Sequence, residues 1–380
     1  TLNKQENIKL IARDKTIVYN RVNSNRKGEL MKVAIIGAGN IANVHAKALR
    51  GLGQEIVAAV SKDDSAKSFA QHWGITHAAS SIQEVLEYDF DVAHICTPPA
   101  LHYEQIKALL LAGKHVVSEK PFTLDGAQAK ELCTLAEQRA LFNAVCFNNR
   151  YYAAVQQAKS LLSGDVLHLA WGSYLQAFHR LPCAYSWRYD ESLAGKMRAV
   201  TEIASHWIDL LSFLTGQDVV QVSALFQCET PLRGLENGVM IDNDNAEKTV
   251  QVLSEDSAVL HLRLSGGTLA SLVVSETIYG KTNELCMQIS GKQRSVAWNS
   301  ENPYRLDYAD VQGSHSSTHA FSSAFNETFA DFIRDVYDAM QGANAAPVYA
   351  DFSQAAKNVA VCEAIYQSAK QSGKYIEVSL

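Results

Sequence analysis

Between residues 33 and 42 the pattern changes in a way that few folds allow. Val33-Ala34-Ile35-Ile36 is a short continuous apolar run, which suits a strand buried on both faces. It breaks into Gly37-Ala38-Gly39, and Asn40-Ile41-Ala42 then opens a stretch of helical periodicity reaching residue 49. A strand that turns through glycines straight into a helix leaves free backbone N–H groups and a positive dipole end at the turn. That arrangement attracts anions. Gly37 permits the tight turn, and Gly39 lets a ligand approach the backbone. Ala42 replaces a third glycine and is still small enough for helix–strand packing. The loop therefore predicts a dinucleotide pyrophosphate held around Gly37, Gly39, Asn40 and Ile41. The alternative is a glycine-rich turn that binds nothing.

Further apolar runs at 55–60, 91–96, 115–118 and 144–147 alternate with helical patterns. Strands joined by helical crossovers predict a doubly wound parallel sheet, an α/β Rossmann domain over 31–148. Strand-like runs then follow in succession at 167–176, 219–226, 249–253, 259–264, 268–277, 286–290 and 295–298. These predict a C-terminal α+β domain over 149–380 with a mostly antiparallel open sheet. Helices near 321–340 and 351–372 are expected on one face of that sheet, with the tail from 351 free to return across the first domain. A length of 380 residues suits two domains. Residues 1–30 are polar and rich in Asn, Lys and Arg, and Met31 reads as a natural start. The leader is expected to be a misassigned upstream stretch, an added arm, or a short hairpin on the body.

A net charge of −6 gives no basic footprint, which argues against nucleic acid as a partner. No apolar run is long enough for a membrane span. The seven cysteines are scattered without a C-x-x-C pair, which suggests reduced thiols in a cytoplasmic protein and no metal site. Asp242-Asn243-Asp244-Asn245 lacks the glycine and terminal glutamate of a calcium loop. It reads as a turn carrying Asn245 towards the sheet.

The end of the second strand sets ribose preference. An acidic residue there would favour NAD. This chain has Ser61-Lys62, a hydroxyl and a cation that suit a 2′-phosphate, and Asp63-Asp64 come slightly too late. NADP is the expected cofactor, with NAD as the alternative if Lys62 is only a solvated turn residue.

Cys96-Thr97-Pro98-Pro99-Ala100-Leu101-His102 and Glu119-Lys120-Pro121 both follow parallel strands, where ligands bind in open α/β sheets. Later, Glu202-Ile203-Ala204-Ser205-His206-Trp207-Ile208-Asp209 places a carboxylate and an imidazole four residues apart, on one face of a helix. With the glycine loop, these segments make residues 31–380 resemble the glucose–fructose oxidoreductase and inositol dehydrogenase family of sugar and polyol oxidoreductases. Shorter stretches (Phe147-Asn148-Asn149-Arg150, Tyr174-Leu175-Gln176, Ser186-Trp187-Arg188) resemble levoglucosan and related sugar dehydrogenases. The resemblance implies a catalytic set of Lys120, His206 and Glu202, the last replacing the family's aspartate. His206 would be the general base in oxidation and Lys120 would polarise the reacting oxygen. Cofactor contacts are expected from Thr97, Pro98, His102, Glu119, Lys120, Asn148, Trp187 and Arg188. Substrate contacts are expected from Lys120, Arg150, Tyr174, Gln176, Glu202 and His206, with His179 also in reach of a polyol. Asp209 is expected to face a structural partner. The family also implies a homodimer or homotetramer. Two other readings stay open: a non-catalytic dinucleotide sensor, and an enzyme using bound nicotinamide for transient redox in glycoside cleavage or epimerisation.

Overall fold

The structure, a computed structural model, describes residues 30–243, 246–344 and 346–379. The leader before Leu30 and the expected turn at Asn245 lie outside these residues. The first sheet contains β1 (Lys32–Ile36), β2 (Glu55–Val60), β3 (His77–Ala79), β4 (Val92–Ile95), β5 (His115–Ser118) and β6 (Asn143–Val145). The strands are parallel, in the order β3-β2-β1-β4-β5-β6. Helices α1 (Asn40–Gly51), α2 (Ser65–Trp73), α3 (His102–Leu111) and α4 (Gly126–Gln138) are the crossovers. Burial on both faces explains the continuous Val, Ile and Ala of Val33–Ile36 in β1 and Ile56–Val60 in β2. Chain order reverses between β1 and β4, the switch point at which such sheets bind ligands. Only three residues long, β3 is too short to show a period.

Helix α5 (Ala153–Leu162) leads into the second region. It comprises β7 (Leu167–Gln176), β8 (Cys183–Ala184), α6 (Ser205–Thr215), β9 (Val219–Gln227), β10 (Leu232–Glu236), β11 (Val239–Ile241), β12 (Thr249–Gln251), β13 (Ser257–Leu264), β14 (Leu269–Ser275), β15 (Asn283–Gly291), β16 (Arg294–Asn299), β17 (Arg305–Asp310) and β18 (Gly313–Thr318). Two helices and a strand follow: α7 (Phe325–Met340), α8 (Phe352–Lys370) and β19 (Ile376–Glu377). Nine strands form one sheet in the order β18-β17-β16-β15-β7-β14-β13-β9-β19. The β7–β14 pairing is parallel, and the others are antiparallel. In β13, buried and exposed residues alternate, so one face is packed and the other open. Leu169, Trp171, Leu225, Val259, Leu269 and Val273 are exposed on these strands. A smaller sheet, β12-β10-β11-β8, packs around Cys183, Tyr189, Met240 and Val252. Among the described residues, no helix is long and apolar enough to cross a membrane.

One of the last two helices differs from expectation. Helix α7 does not cover the second sheet: Phe329, Phe332, Ile333, Val336, Tyr337 and Met340 join a core with Val33 and Ile35 of β1. Helix α8 straddles both regions. Its Phe352 and Ala355 pack with the first sheet, while Val361, Ala364 and Ile365 pack with the second. Val145 bridges to Ala350, so the chain returns to the edge of the first sheet before α8 begins. An amphipathic pattern shows that a helix has an apolar side but not which sheet that side meets.

Candidate functional site

A cleft of about 1240 Å³ runs from the β1–α1 turn to the second sheet. At its first end, Gly37 has φ +108°, and a side chain there would come within 2.6 Å of the Cys96 carbonyl oxygen. Only glycine fits this crossing of β1 and β4. At Gly39 an added Cβ would meet nothing within 4 Å, so the loop backbone faces open space there. Gly39 caps α1 without a side-chain hydrogen bond, which leaves the first-turn N–H groups for a ligand. These features fit a pyrophosphate.

Ser61, Lys62, Ser65, Ser80 and Ser81 line the next stretch of the cleft. The Asp63 carboxylate accepts from Ser61 Oγ at 2.9 Å and from Ser65 N at 3.0 Å. It is occupied at the start of α2, and neither Asp63 nor Asp64 lines the cleft.

At the middle of the cleft, Lys120 follows β5 and its Nζ donates to the Glu202 carbonyl at 2.7 Å. The same ammonium lies 3.9 Å from Glu202 Oε2. Arg188 Nε donates to that oxygen at 3.1 Å. Burial works against the charge on Glu202, but Lys120 and Arg188 outweigh it and hold its carboxyl down at about 2. Glu202 sits in a π-helical turn, Val200–Ala204, that runs directly into α6. Such turns are frequent at functional sites. Trp207, Ile208, Leu210 and Leu211 bury the core side of α6, and His206 lines the cleft against Phe147 and Tyr174. Among the described residues, His206 Nδ1 is buried without a hydrogen-bond partner. Burial and then the Lys120 charge push the imidazole well below its usual range, against the opposing pull of Glu202. It is therefore neutral near pH 7 and able to accept a proton.

The far end is polar. Tyr174 Oη donates to Asn283 Oδ1 at 2.9 Å, and Gln176 Nε2 donates to the same oxygen at 2.5 Å. His179, Glu276 and Asn283 also line this end. Asn283 and Glu276 were not read from the sequence. They sit at strand ends with no motif around them, and only the pairing of β15 and β14 with β7 brings them beside Gln176.

The cleft thus gathers Gly37, Gly39, Asn40, Ile41, Ser61, Lys62, Thr97, Pro98, Glu119, Lys120, Asn148, Tyr174, Gln176, Trp187, Arg188, Glu202 and His206. Two expected residues are corrected. His102 is fully buried, with Nδ1 and Nε2 spent on the carbonyls of Pro121 and Thr97, so it staples the two loops from behind. Arg150 is turned away from the cleft: Nε and Nη2 grip the two Asp209 oxygens at 2.8 and 2.6 Å, and Nη1 reaches the Val348 carbonyl and Gln354. Asp209 has the structural partner expected of it.

Glu119 touches the cleft but is also tied inward. Its Oε1 pairs with His45 Nε2 at 2.9 Å, and His45 Nδ1 meets His94 Nδ1 at 2.8 Å. His94 Nε2 meets the Tyr337 hydroxyl at 3.0 Å. Cys146 joins His45 and Glu119 within 4.8 Å, close enough to share a cation. Both His45 nitrogens already have partners, so the geometry is that of a hydrogen-bonded core group.

Comparison with known proteins adds to this. Residues 31–147 match the GFO/IDH/MocA oxidoreductase family, described as an NAD-binding Rossmann fold, and residues 166–378 match its C-terminal alpha/beta domain. Levoglucosan dehydrogenase of Pseudarthrobacter phenanthrenivorans is 26% identical over 302 residues, covering 73% of this chain and 76% of that protein. The scyllo-inositol 2-dehydrogenase (NADP(+)) IolW of Bacillus subtilis is 23% identical over 363 residues, 91% of this chain and 96% of its own. Among solved structures, levoglucosan dehydrogenase in complex with NADH superposes with a TM-score of 0.83 at 23% identity, covering 92% of this chain and 100% of that one. An oxidoreductase domain protein from Kribbella flavida gives 0.84 at 21% identity, again covering 92% and 100%.

Proposed function

Because the chain belongs to the GFO/IDH/MocA oxidoreductase family, we propose that it moves a hydride between NADP and a carbinol carbon of a sugar, inositol or related polyol. One observation carries this reading. A single cleft joins an anion-binding glycine loop to Lys120, Glu202 and His206, with Tyr174, Gln176 and Asn283 beyond them. Bound nicotinamide supplies the hydride acceptor or donor. Gly37, Gly39, Asn40 and Ile41 would hold its pyrophosphate, with Thr97, Pro98, Glu119, Asn148 and Trp187 along the remaining wall.

In oxidation, the alcohol O–H bond gives its proton to His206, which is neutral and half-buried. Lys120 faces the same oxygen and stabilises the negative charge developing there. Glu202 holds Lys120 through its carbonyl, while its carboxylate balances Lys120 and Arg188. Reduction reverses each transfer, with His206 as acid. Incubating the protein with NADP and a panel of sugars, inositols and anhydrosugars tests the reading. Nicotinamide reduction with at least one of them is expected, and a panel that gives none speaks against it.

The pH dependence follows from the His206 environment. A base must be unprotonated to act, and its pKa is lowered by burial and Lys120, so its active form persists below the usual range. The acid limb of kcat/KM for oxidation is expected below pH 6.5, the ordinary imidazole value. An acid limb above that value would contradict the lowered His206 pKa, and a limb unchanged by His206 substitution would contradict its role as the base.

NADP is preferred in this reading because four hydroxyls and the Lys62 ammonium line the ribose end, while Asp63 is engaged elsewhere. The names and titles of similar proteins include both NADP(+) and NADH, and the lining residues are what support NADP in this reading. Lys62→Ala is expected to weaken NADP binding by about 10-fold, the value of one charge-assisted contact, and to leave NAD binding unchanged. Calorimetry that finds NAD tighter than NADP in the unaltered protein overturns the preference. The exposed apolar face around Trp171 and Val273 is the proposed homo-oligomer surface. Seven free cysteines suit a reducing, cytoplasmic setting.

A further inference from the structure

At the polyol end of the cleft, two side chains have no role in the chemistry above. His179 Nε2 and Glu276 Oε1 stand 3.9 Å apart, both lining the cleft. That is too long for a direct hydrogen bond. One oxygen placed about 2.7–2.9 Å from each atom spans the gap with ordinary hydrogen-bond lengths.

Everything else about the pair is fixed. The His179 backbone N donates to the Glu276 carbonyl at 3.1 Å. His179 Nδ1 is taken by the Tyr189 hydroxyl at 2.5 Å. Glu276 Oε2 accepts from Arg198 Nε at 2.8 Å, and Arg198 is itself fully buried. Only the two facing atoms, Nε2 and Oε1, are left to meet a ligand.

We infer that His179 and Glu276 together bind one hydroxyl of the substrate, away from the reacting carbon, and so set which polyols the enzyme accepts. The inference rests on the oxidoreductase reading and extends it to a residue pair with no family motif around it. The charge states fit an uncharged hydroxyl and not an ionic group. Burial, opposed by Arg198 but reinforced by Glu202, pushes the Glu276 carboxyl up to about 8. Burial and then Arg198 push His179 down to about 3. Burial thus favours the neutral form of each group, and the neutral pair offers both a donor and an acceptor. A phosphate or carboxylate at this position would find no counter-charge on the two atoms that meet it. The favoured class is a neutral polyhydroxylated ring.

The test uses the full chain with saturating NADP and three probes: D-glucose, levoglucosan and myo-inositol, each with its single-deoxy analogues. For the best substrate, Glu276→Ala and His179→Leu are each expected to raise KM about 10-fold, the upper end for a hydrogen bond between neutral groups. In both variants kcat should stay within about threefold, because the pair holds a hydroxyl and takes no part in the proton transfer. The double variant should be little worse than either single one, since both lose the same hydroxyl. One deoxy analogue should show the same loss with the unaltered protein and no further loss with the variants. Glu276→Gln keeps an acceptor for Arg198 and a partner for the hydroxyl, so its KM should stay within about threefold. If Glu276→Ala does not fold, His179→Leu compared on the deoxy series decides the same question. Turnover with an unchanged KM in His179→Leu, or fully additive losses, overturns the inference and leaves the oxidoreductase reading standing. Absence of turnover with every probe in the unaltered protein overturns both.

Discussion

His206→Ala and Lys120→Met are each expected to lower kcat by about two to four orders of magnitude, the usual contribution of a positioned acid–base group, with NADP affinity kept within about threefold. The expectation follows from where the two groups lie. His206 has a buried Nδ1 with no hydrogen-bond partner among the described residues, on a ring kept neutral by burial and by Lys120. Lys120 has one firm bond, to the Glu202 carbonyl at 2.7 Å, which aims its Nζ into the cleft. Neither residue holds the core together. The double variant should be scarcely worse than the worse single one, because both act on one proton transfer. Initial rates at saturating NADP, with melting curves to confirm folding, check this. A variant with full turnover removes that residue from the chemistry.

Asp209→Ala is expected to cost about 3–5 kcal/mol of stability, the range seen when one member of a buried ion pair is removed. Arg150 is 4% exposed and Asp209 is 5% exposed, so loss of the carboxylate leaves a guanidinium without its counter-charge in the core. Burial pushes the Asp209 carboxyl upward against the pull of Arg150, so desolvation is a real cost in this pair. Through Val348 and Gln354, Arg150 also ties the end of the first sheet to the start of α8. Denaturant titration measures the loss. Where the variant is folded, KM for substrate should stay within about twofold. A loss below about 1 kcal/mol, the level of an exposed pair, or a KM rise without a stability loss, would return Arg150 to the substrate site.

How much of this was legible in the sequence depends on how local each signal is. The parallel sheet was readable because β1, β2 and β5 are short apolar runs bounded by turns, and the glycine loop fixes their direction. Polar, exposed β18 carries no apolar period, so it and its partner β17 were missed. The destination of α7 was misjudged because its stripe of Phe329, Phe332, Ile333 and Val336 suits either sheet equally well. At the site, residues within motifs were found: Lys120 beside a proline, and Glu202 and His206 four apart. Arg150 and His102 were misread for the opposite reason. They sit next to motif residues, and only the fold shows that Asp209 and the Pro121 carbonyl already occupy them. Glu276 and Asn283 reach the cleft through strand pairing alone, which no local window records.

Under the proposed function, Lys120, Glu202 and His206 support direct hydride transfer between a polyol carbon and NADP. A polyol deuterated at its carbinol carbons puts that assignment to the sharpest test. It is incubated with the protein and NADP, and the recovered dinucleotide is examined by mass spectrometry. Reduced dinucleotide carrying one deuterium from the polyol is expected, and almost none with His206→Ala. Reduced dinucleotide without the label, or no reduction across the panel, would contradict the assignment.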